Sequence, residues 1–483
     1  MSTTGRPRPE NHVIVLFGAT GDLSRRKLLP GLFNLHCAGL MPEDYRVIGV
    51  SRRRSALSDE DFRQRAYDAV EARGMREPSG PDWDDFVSRL SFAAADANDA
   101  DDLVRTVHDA EQEMGGRPRR IYHLAIPPVA FPGMVAMLGE TGLSDRARII
   151  VEKPFGTDLA SAEQLNASVH AVFGEADVFR IDHFLGKESI ENILALRFAN
   201  GLFEPIWNRD HVDHVQIDVP ETLNVAGRSG FYEDTGAFRD MVVTHLFQVL
   251  GFIAMEPPTA LNQKSVRNET AKVFDSMKPL DPAHVVRGQY AGYREEEGVD
   301  PGSQTETFVA LEVGIDNWRW AGVPFYLRTG KSLAQSCQVI TLAFHEPPLR
   351  MFTLADGAAA TSRPNELVIE FQDPGSISAN FLAKKPGPDI ELREVAMTFD
   401  YDSAFEVREL EGYERLVHDA MLGDQTLFTR GDGIERLWEV SKSLLERPPE
   451  LEMYEPGSWG PESVDELIAP RSWHLSGRRR VRS

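Results

Sequence analysis

Cysteine, basic residues and long apolar runs are all scarce in this sequence. Cys37 and Cys337 are the two cysteines among 483 residues, too few for a disulfide scaffold, which favours a reducing compartment. No run approaches the ~18 apolar residues of a membrane span, and the polar start MSTTGRPRPE has no signal-peptide core. Lys and Arg number 52 against 75 Asp and Glu, so the net charge of −23 argues against nucleic acid or a membrane as partner. We therefore expect a cytoplasmic globular protein with a small-molecule partner.

The first third of the chain alternates predicted strands and helices. Nearly continuous apolar runs, typical of strands buried on both faces, lie at 12–17, 46–50, 90–92, 120–125 and 147–151. Segments with helical spacing separate them, at 25–40, 59–73, 99–114 and 130–139. Strands alternating with helices imply right-handed crossovers, so residues 10–184 are predicted to form a Rossmann-like, doubly wound parallel sheet.

The pattern changes after about residue 185. Period-two alternation, typical of strands with one covered face, occurs at 214–219, 307–313, 338–344, 366–371 and 377–381. Helical patterns at 187–200, 235–254 and 408–423 would supply the cover. We therefore predict an α/β domain followed by a larger α+β domain over residues 185–483, with a mainly antiparallel sheet.

A glycine-containing loop follows the first predicted strand. Gly18 and Gly21 lie just before the first helix, where glycine lets the backbone approach a pyrophosphate and the helix N-terminus attracts it. The spacing departs from GxGxxG, which indicates a distinct Rossmann subfamily. The second strand runs into SRRR at 51–54, with no carboxylate for a ribose 2′-OH but with guanidinium groups for a 2′-phosphate. A solvated basic turn is the alternative, but together with the glycine loop these arginines favour NADP over NAD.

The segment RIDHFLGK at 180–187 brings an acid, an imidazole and an ammonium into a short stretch. A second histidine, His245, lies in the helix predicted at 235–254. Taken alone, each histidine is more often structural than catalytic. No Zn-type Cys/His spacing occurs, and DHVDH at 210–214 leads into an alternating strand that points its side chains to opposite faces. We therefore predict no metal site.

Several motifs, in order from about residue 13 to 430, together resemble the glucose-6-phosphate dehydrogenase family. They are GATGDLSRRKLLP, HLAIPP, EKPFG, RIDHFLGKE, NILALRFAN, the set Gly236, Asp240 and His245, then PFYLRTGK and AMLGDQTLF. RIDHFLGKE carries most of the specificity. The resemblance implies that residues 185–483 bind substrate and mediate assembly into a homodimer or homotetramer.

The resemblance also implies a reaction of the pentose phosphate pathway. β-D-Glucose 6-phosphate is oxidised at C1 to 6-phospho-D-glucono-1,5-lactone, with hydride transfer to NADP. Hydride leaves C1 as the C1 hydroxyl loses a proton, which requires a base with a pKa near the working pH, and imidazole suits this. By the resemblance His245 is that base, and Asp182 orients it and stabilises the imidazolium that forms.

The same resemblance implies the ligand-binding residues. His183 and Lys187 match phosphate ligands, and Lys153, in a candidate cis Lys153–Pro154 bond, lies between cofactor and sugar. The sugar is further bound by two carboxylates and an ammonium, those of Glu221, Asp240 and Lys331. The cofactor-binding residues implied are Gly18, Thr20, Gly21, Asp22, Leu23, Arg52, Asp96, Ala97 and Lys153.

Two departures from the family pattern touch the substrate. Phe184 stands where the family usually has Tyr, and the sequence up to Ser336 lacks the second Lys that usually follows RTGK. One alternative is therefore a same-family dehydrogenase acting on a different hexose or amino-sugar 6-phosphate. Another is a catalytically idle NADP-binding paralogue, against which the retained acidic, basic and histidine residues argue: Asp182, His183, Lys187, Asp240 and His245.

Overall fold

The computed structural model describes residues 8–225, 227–349, 351–352, 365–372, 375–404 and 410–475, which form two compact units. The N-terminal unit comprises Met1–Lys187, Pro258–Asn268 and Glu409–Glu435. The C-terminal unit comprises Glu188–Pro257, Glu269–Arg408 and Arg436–Ser483. The predicted domains, 10–184 and 185–483, are continuous segments, whereas each unit is built from three separate segments.

The elements of both units are numbered along the chain. The strands are β1 (His12–Phe17), β2 (Tyr45–Ser51), β3 (Leu90–Ala94), β4 (Arg119–Leu124), β5 (Ala147–Val151), β6 (Val178–Arg180), β7 (Val212–Pro220), β8 (Val285–Tyr290), β9 (Phe308–Val313), β10 (Phe325–Gly330), β11 (Val339–Phe344), β12 (Glu366–Glu370), β13 (Ser376–Lys384), β14 (Leu392–Asp400) and β15 (Leu451–Tyr454). The α-helices are α1 (Leu29–Cys37), α2 (Asp59–Arg73), α3 (Gly80–Ser88), α4 (Asp101–Met114), α5 (Phe131–Glu140), α6 (Leu159–His170), α7 (Glu188–Phe198), α8 (Ser229–Ala237), α9 (Phe247–Ala254), α10 (Gln263–Ser276), α11 (Tyr401–Ala404), α12 (Gly412–Leu422), α13 (Gly431–Glu446) and α14 (Val464–Ile468). Two π-helical segments, Ser24–Leu28 and Phe238–Leu246, lead into α1 and α9.

The N-terminal unit contains a six-stranded sheet in the order β3-β2-β1-β4-β5-β6. Every pairing described in it is parallel, and the order reverses between β1 and β4, as in a doubly wound fold. This confirms the predicted Rossmann-like sheet. The five predicted strands are present with ends that differ by two residues or fewer, whereas β6 was not predicted.

The C-terminal unit contains a nine-stranded sheet in the order β14-β13-β12-β11-β7-β10-β9-β8-β15. Within the described residues, six of its eight pairings are antiparallel, which confirms the predicted mainly antiparallel sheet. The pairs β7–β10 and β8–β15 are parallel.

The central parallel pair β7–β10 is joined by a buried ion pair. Asp218 and Arg328 lie opposite each other in its register, and Arg328 Nε donates to Asp218 Oδ1 over 2.6 Å. Both side chains are 1% exposed, and the guanidinium lies over the ring of Trp473 at 4.1 Å. Removing one partner of such a pair costs about 3–5 kcal/mol, because the other charge stays buried alone. This pair therefore fixes the register of β7 against β10.

A long apolar helical stretch runs from Ser229 to Ala254. It has the length and composition of a membrane span, but 89% of its apolar window is buried within the protein. That burial is typical of a core helix. Gly236 breaks the stretch with φ +64°, where a Cβ would lie 2.5 Å from Glu306 Oε1.

Candidate active site

The glycine loop of the N-terminal unit has room for backbone only. Gly18 follows β1 with φ +80°, and an added Cβ would lie 2.1 Å from the carbonyl oxygen of Ala125. The N–H of Gly21 donates to the Gly18 carbonyl over 2.8 Å, which closes the turn. Thr20 lies in this turn, and Asp22 and Leu23 begin the helical stretch that continues into the π-helical segment Ser24–Leu28. The resulting cradle, at the start of a helical segment, fits a pyrophosphate.

The ends of β2 and β3 place the predicted adenosine-side residues together. β2 pairs with β3 in parallel, so Arg52 and Asp96, which follow them, lie at the same edge of the sheet. Arg53 Nε donates to Asp99 over 2.5 Å, so this guanidinium is already paired with a carboxylate. The Arg52 guanidinium is exposed and makes no ion pair with the part of the chain that is described. Arg52 therefore suits a 2′-phosphate, while Ala97 is an exposed neighbour of Asp96.

Lys153 follows the end of β5, the strand next to β4. It is half-buried, and its bond to Pro154 is cis, as predicted. The preceding residue, Glu152, is buried and accepts from the His123 imidazole, with Nε2 and Oε1 2.7 Å apart. Neither Glu152 nor His123 was singled out from the sequence.

The segment after β6 holds the predicted acid and the predicted phosphate ligands. Asp182 is fully buried, and its Oδ1 accepts from the Phe184 N–H over 2.9 Å. Burial raises the pKa of Asp182 to about 6, although the positive charges of His183, Lys153 and Lys187 act in the opposite direction. The carboxyl group is therefore mostly ionised above neutral pH and becomes protonated in mild acid.

The ring of Phe184 packs against both phosphate-ligand candidates. It contacts the His183 imidazole edge-to-face with centroids 5.0 Å apart, and Lys187 Nζ lies 5.6 Å from its centroid. Phe184 is 3% exposed. The residue that departs from the family pattern thus packs its ring against both phosphate-ligand candidates but offers no hydroxyl.

In the C-terminal unit, Asp240 and His245 lie in the π-helical segment Phe238–Leu246. His245 is completely buried and Asp240 is half-buried. In an α-helix, residues five apart point about 140° away from each other. The i→i+5 bonding of a π-helix instead stacks them one turn apart. The π-helix therefore brings these two predicted residues toward one face.

Glu306 fixes the start of this helical segment and was not predicted from the sequence. Its Oε1 accepts from the Phe238 N–H over 3.1 Å, and its Oε2 pairs with Arg287 over 2.9 Å. Gly236 leaves the space that this carboxylate needs. Glu306 is therefore a positioning residue for the segment that carries Asp240 and His245.

Glu221 and Lys331 form an ion pair. They directly follow β7 and β10, whose parallel register pairs Pro220 with Gly330, and their Oε2 and Nζ atoms lie 2.5 Å apart. Lys331 Nζ also lies 5.9 Å from the ring centroid of the buried Tyr232. Burial, and next the charge of Asp240, raises the pKa of the Tyr232 hydroxyl well above its ordinary value. The fold thus gathers two carboxylates, an ammonium and a phenol suited to sugar hydroxyls.

The structure also locates the residue where the second family Lys is missing. Ser336 Oγ accepts from the Thr222 N–H over 2.7 Å and lies 2.9 Å from the Thr222 hydroxyl. It therefore fixes the backbone next to Glu221.

Asp182 and His245 belong to different units, and their pairing stays a prediction.

Comparison with known proteins agrees with both halves of this description. Residues 15–192 match the family model "Glucose-6-phosphate dehydrogenase, NAD binding domain", and residues 194–474 match "Glucose-6-phosphate dehydrogenase, C-terminal domain". The glucose-6-phosphate 1-dehydrogenase of Aggregatibacter actinomycetemcomitans is 41% identical over 96% of each chain. That of Mycolicibacterium smegmatis is also 41% identical, over 95% of this chain and 97% of its own.

Solved structures give the same result. The crystal structure of glucose-6-phosphate 1-dehydrogenase from Mycobacterium avium superposes with a TM-score of 0.86 at 35% identity, covering 97% of this chain and 99% of its own. A glucose-6-phosphate dehydrogenase in complex with its substrate glucose-6-phosphate gives 0.89 at 33% identity, covering 98% and 100%. The chain belongs to the glucose-6-phosphate dehydrogenase family.

Proposed function

We propose that this chain oxidises β-D-glucose 6-phosphate at C1 to 6-phospho-D-glucono-1,5-lactone with NADP. The observation that carries the proposal is the match to enzymes named glucose-6-phosphate 1-dehydrogenase at about 40% identity over nearly the whole chain. The reaction belongs to the pentose phosphate pathway. A cytoplasmic location is part of the proposal and agrees with the two free cysteines.

His245 is the proposed general base and Asp182 its positioning partner. His245 accepts the proton of the C1 hydroxyl at an imidazole nitrogen, and the Asp182 carboxylate stabilises the imidazolium. With a pKa of about 6, Asp182 is ionised at neutral to alkaline pH, where this role requires it.

The remaining residues bind and orient the substrate. His183 and Lys187 bind the phosphate group through charge-assisted hydrogen bonds, with Phe184 packed between them. Glu221 and Asp240 accept hydrogen bonds from sugar hydroxyls, and Lys331 donates to the sugar. Holding the sugar at both ends lowers the entropy cost of bringing C1 to the base.

NADP fits the N-terminal unit. The Gly18 cradle accepts a pyrophosphate with Gly21, Thr20, Asp22 and Leu23 around it, and Arg52 binds the 2′-phosphate. Asp96 and Ala97 line the adenosine side, and Lys153 lies between cofactor and sugar. When bound, NADP accepts the hydride that leaves C1.

A second candidate is a same-family dehydrogenase for another hexose or amino-sugar 6-phosphate. Two observations favour it: Phe184 offers no hydroxyl to the phosphate, and Ser336 Oγ is engaged by Thr222. A catalytically idle paralogue is the least supported alternative, because the acid, base and phosphate-binding residues are all present.

The test is NADPH formation with a panel of hexose 6-phosphates, with NADP and NAD compared. We expect glucose 6-phosphate to have the highest kcat/KM, and His245→Asn to lower kcat about 10²–10⁴-fold, as for loss of a general base. His284→Asn is the matched control, because His284 is exposed and lies far in sequence from every residue proposed to bind substrate or cofactor. A higher kcat/KM for another sugar phosphate would select the second candidate, and intact NADP binding without turnover would select the idle paralogue.

We also propose a homodimer or homotetramer. Within the described residues β14 is an edge strand of the nine-stranded sheet, and it exposes Val395 and Met397. Unpaired edges with exposed apolar side chains favour association with a second sheet. Light scattering of the purified protein measures the assembly, and a monomer at micromolar concentration would refute this part of the proposal.

A further inference from the structure

The N-terminal unit contains a buried polar network to which the proposed mechanism assigns no role. His123 lies on β4 opposite Ile150 of β5, and Glu152 follows two residues later, so it projects from the same face as Ile150. His123 is 2% and Glu152 8% exposed. Tyr413, in the first turn of α12, completes the network. Buried polar groups of this kind are retained only where their hydrogen bonds are satisfied.

Both oxygens of one carboxylate are fixed in this network. Glu152 Oε1 lies 2.7 Å from His123 Nε2, and Glu152 Oε2 accepts from the Tyr413 hydroxyl over 3.2 Å. Burial, followed by the charge of Glu152, raises the pKa of the Tyr413 hydroxyl, so it remains a donor at all working pH values. The carboxylate therefore fixes the Tyr413 ring relative to two strands of the sheet.

The ring of Tyr413 in turn packs against the phosphate-ligand candidate His183. The two rings are nearly parallel, at 15°, with centroids 6.3 Å apart. The edge-to-face contact of Phe184 approaches the same imidazole at 70°. Two aromatic neighbours at different angles leave the imidazole little freedom to rotate.

The backbone holds the same two segments together. A Cβ on Gly186 would lie 2.8 Å from the carbonyl oxygen of Gly412, so the first turn of α12 sits directly on the loop that carries His183 and Lys187. The network thus reaches the phosphate side of the proposed site through the first turn of α12.

We infer that His123, Glu152 and Tyr413 are positioning residues that set the orientation of the His183 imidazole for the phosphate group of the sugar substrate. The inference rests on the proposed function, because it takes His183 as a phosphate ligand. The network acts on binding of the phosphate-bearing substrate rather than on proton or hydride transfer. Its loss should raise KM for the sugar phosphate while kcat and KM for NADP stay nearly constant.

The test compares Tyr413→Phe, Glu152→Gln and the double variant by steady-state kinetics. Each single variant should raise KM for glucose 6-phosphate about 3–10-fold. This is less than the roughly 10–150-fold expected for a directly lost hydrogen bond to a charged group, because the network acts on the phosphate only through His183. Glu152→Gln keeps an oxygen that accepts from Tyr413 but removes the charge that strengthens this bond. Because both changes weaken the same contact, the double variant should raise KM by less than the product of the two single effects. Tyr413→Leu, which removes the ring, should raise KM further.

Tyr122→Phe is the matched control. Tyr122 precedes His123 on β4, is fully buried, and donates its hydroxyl to the Leu143 carbonyl over 2.8 Å, outside the network. It should lower Tm as much as Tyr413→Phe does but leave KM unchanged. A merely structural role for the network would make the two variants alike, with lower Tm and unchanged KM, and would overturn the inference.

Titration with inorganic phosphate separates this inference from the proposed function. The titration is done with saturating NADP, so that the cofactor's own phosphate sites are filled. The concentration of phosphate that gives half of the maximal rise in Tm then reports the phosphate subsite of the sugar, whichever sugar is oxidised. If the wild type fails to oxidise glucose 6-phosphate, the proposed function fails, and this titration decides the inference alone. A half-saturating concentration that is equal in wild type, Tyr413→Phe and Glu152→Gln overturns it, and one raised about 3-fold or more supports it.

Discussion

Replacing Gly18 with Ala tests the nucleotide loop in the most direct way. An added Cβ would lie 2.1 Å from the Ala125 carbonyl oxygen, whereas carbon and oxygen atoms in contact are about 3.3 Å or more apart. The obstacle is backbone, so no side-chain rotation relieves it, and the loop must move away from the end of β4 by about 1 Å. A displacement of that size at a binding site can cost about 10²-fold. We expect the Kd for NADP to rise about 10–100-fold.

Gly39→Ala is the control for backbone strain alone. Gly39 has φ +68°, close to the +80° of Gly18, but a Cβ there would meet nothing within 4 Å. Both variants therefore share a left-handed strain of about 1–2 kcal/mol, and both should lower Tm by several degrees. Isothermal titration with NADP separates them, because only Gly18→Ala should bind more weakly. Equal Kd values in the two variants would refute the assignment of this loop to the pyrophosphate.

Three further predictions concern charge and substrate. Arg52→Ala should raise KM for NADP about 10-fold or more and leave KM for NAD unchanged. Arg53→Ala, which removes the partner of Asp99, is the control and should change KM for either cofactor little. Steady-state kinetics with each cofactor measures both effects. Phe184→Tyr should lower KM for hexose 6-phosphates about 10-fold or more by restoring a hydrogen bond to the charged phosphate. An unchanged KM would show that the phosphate is bound equally well without this hydroxyl. Burial raises the pKa of Asp182 from 3.8 to about 6, so the folded protein binds this proton more tightly than the unfolded chain does. The ionised carboxylate therefore lowers the stability of the fold above pH 6. Below about pH 4 the carboxyl group is protonated in both states, and this loss of stability disappears. Asp182→Asn should therefore raise Tm at pH 8 and not at pH 4 while kcat falls, and equal Tm values at pH 8 would contradict the burial argument.

The sequence predicted the N-terminal sheet well because its strands are buried on both faces and appear as continuous apolar runs. It predicted the C-terminal sheet less completely. The strand Phe325–Gly330 was missed because Arg328 and Gly330 interrupt its pattern, and Arg328 is tolerated there only through its pairing with Asp218. The exposed, charged strand Leu392–Asp400 was missed because it has no covered apolar face.

Several site features depend on tertiary structure and had no signal in the sequence. The five-residue spacing of Asp240 and His245 does not place them on one face of an α-helix, and nothing in the sequence marks the π-helical segment that does. Tyr413 lies 230 residues beyond His183, and its segment packs into the N-terminal unit. Glu306 is distant in sequence from the helix that it caps. Family motifs can mark such residues in the sequence, but only the folded structure shows which side chains they contact.

The β7–β10 pair shows how one exception to a sheet's general pattern produces a site. Most pairings in the described part of the nine-stranded sheet are antiparallel, and antiparallel strands end at opposite edges. Had β10 paired with β7 in that way, Lys331 would lie about 20 Å from Glu221, six residues at about 3.3 Å each. The parallel register, fixed by the buried Asp218–Arg328 pair, instead brings both strands to the same edge and their next residues to 2.5 Å. A buried ion pair contributes little net stability compared with apolar residues of the same size. Its benefit here is the register that it specifies, and with it the position of the two groups proposed to bind the sugar.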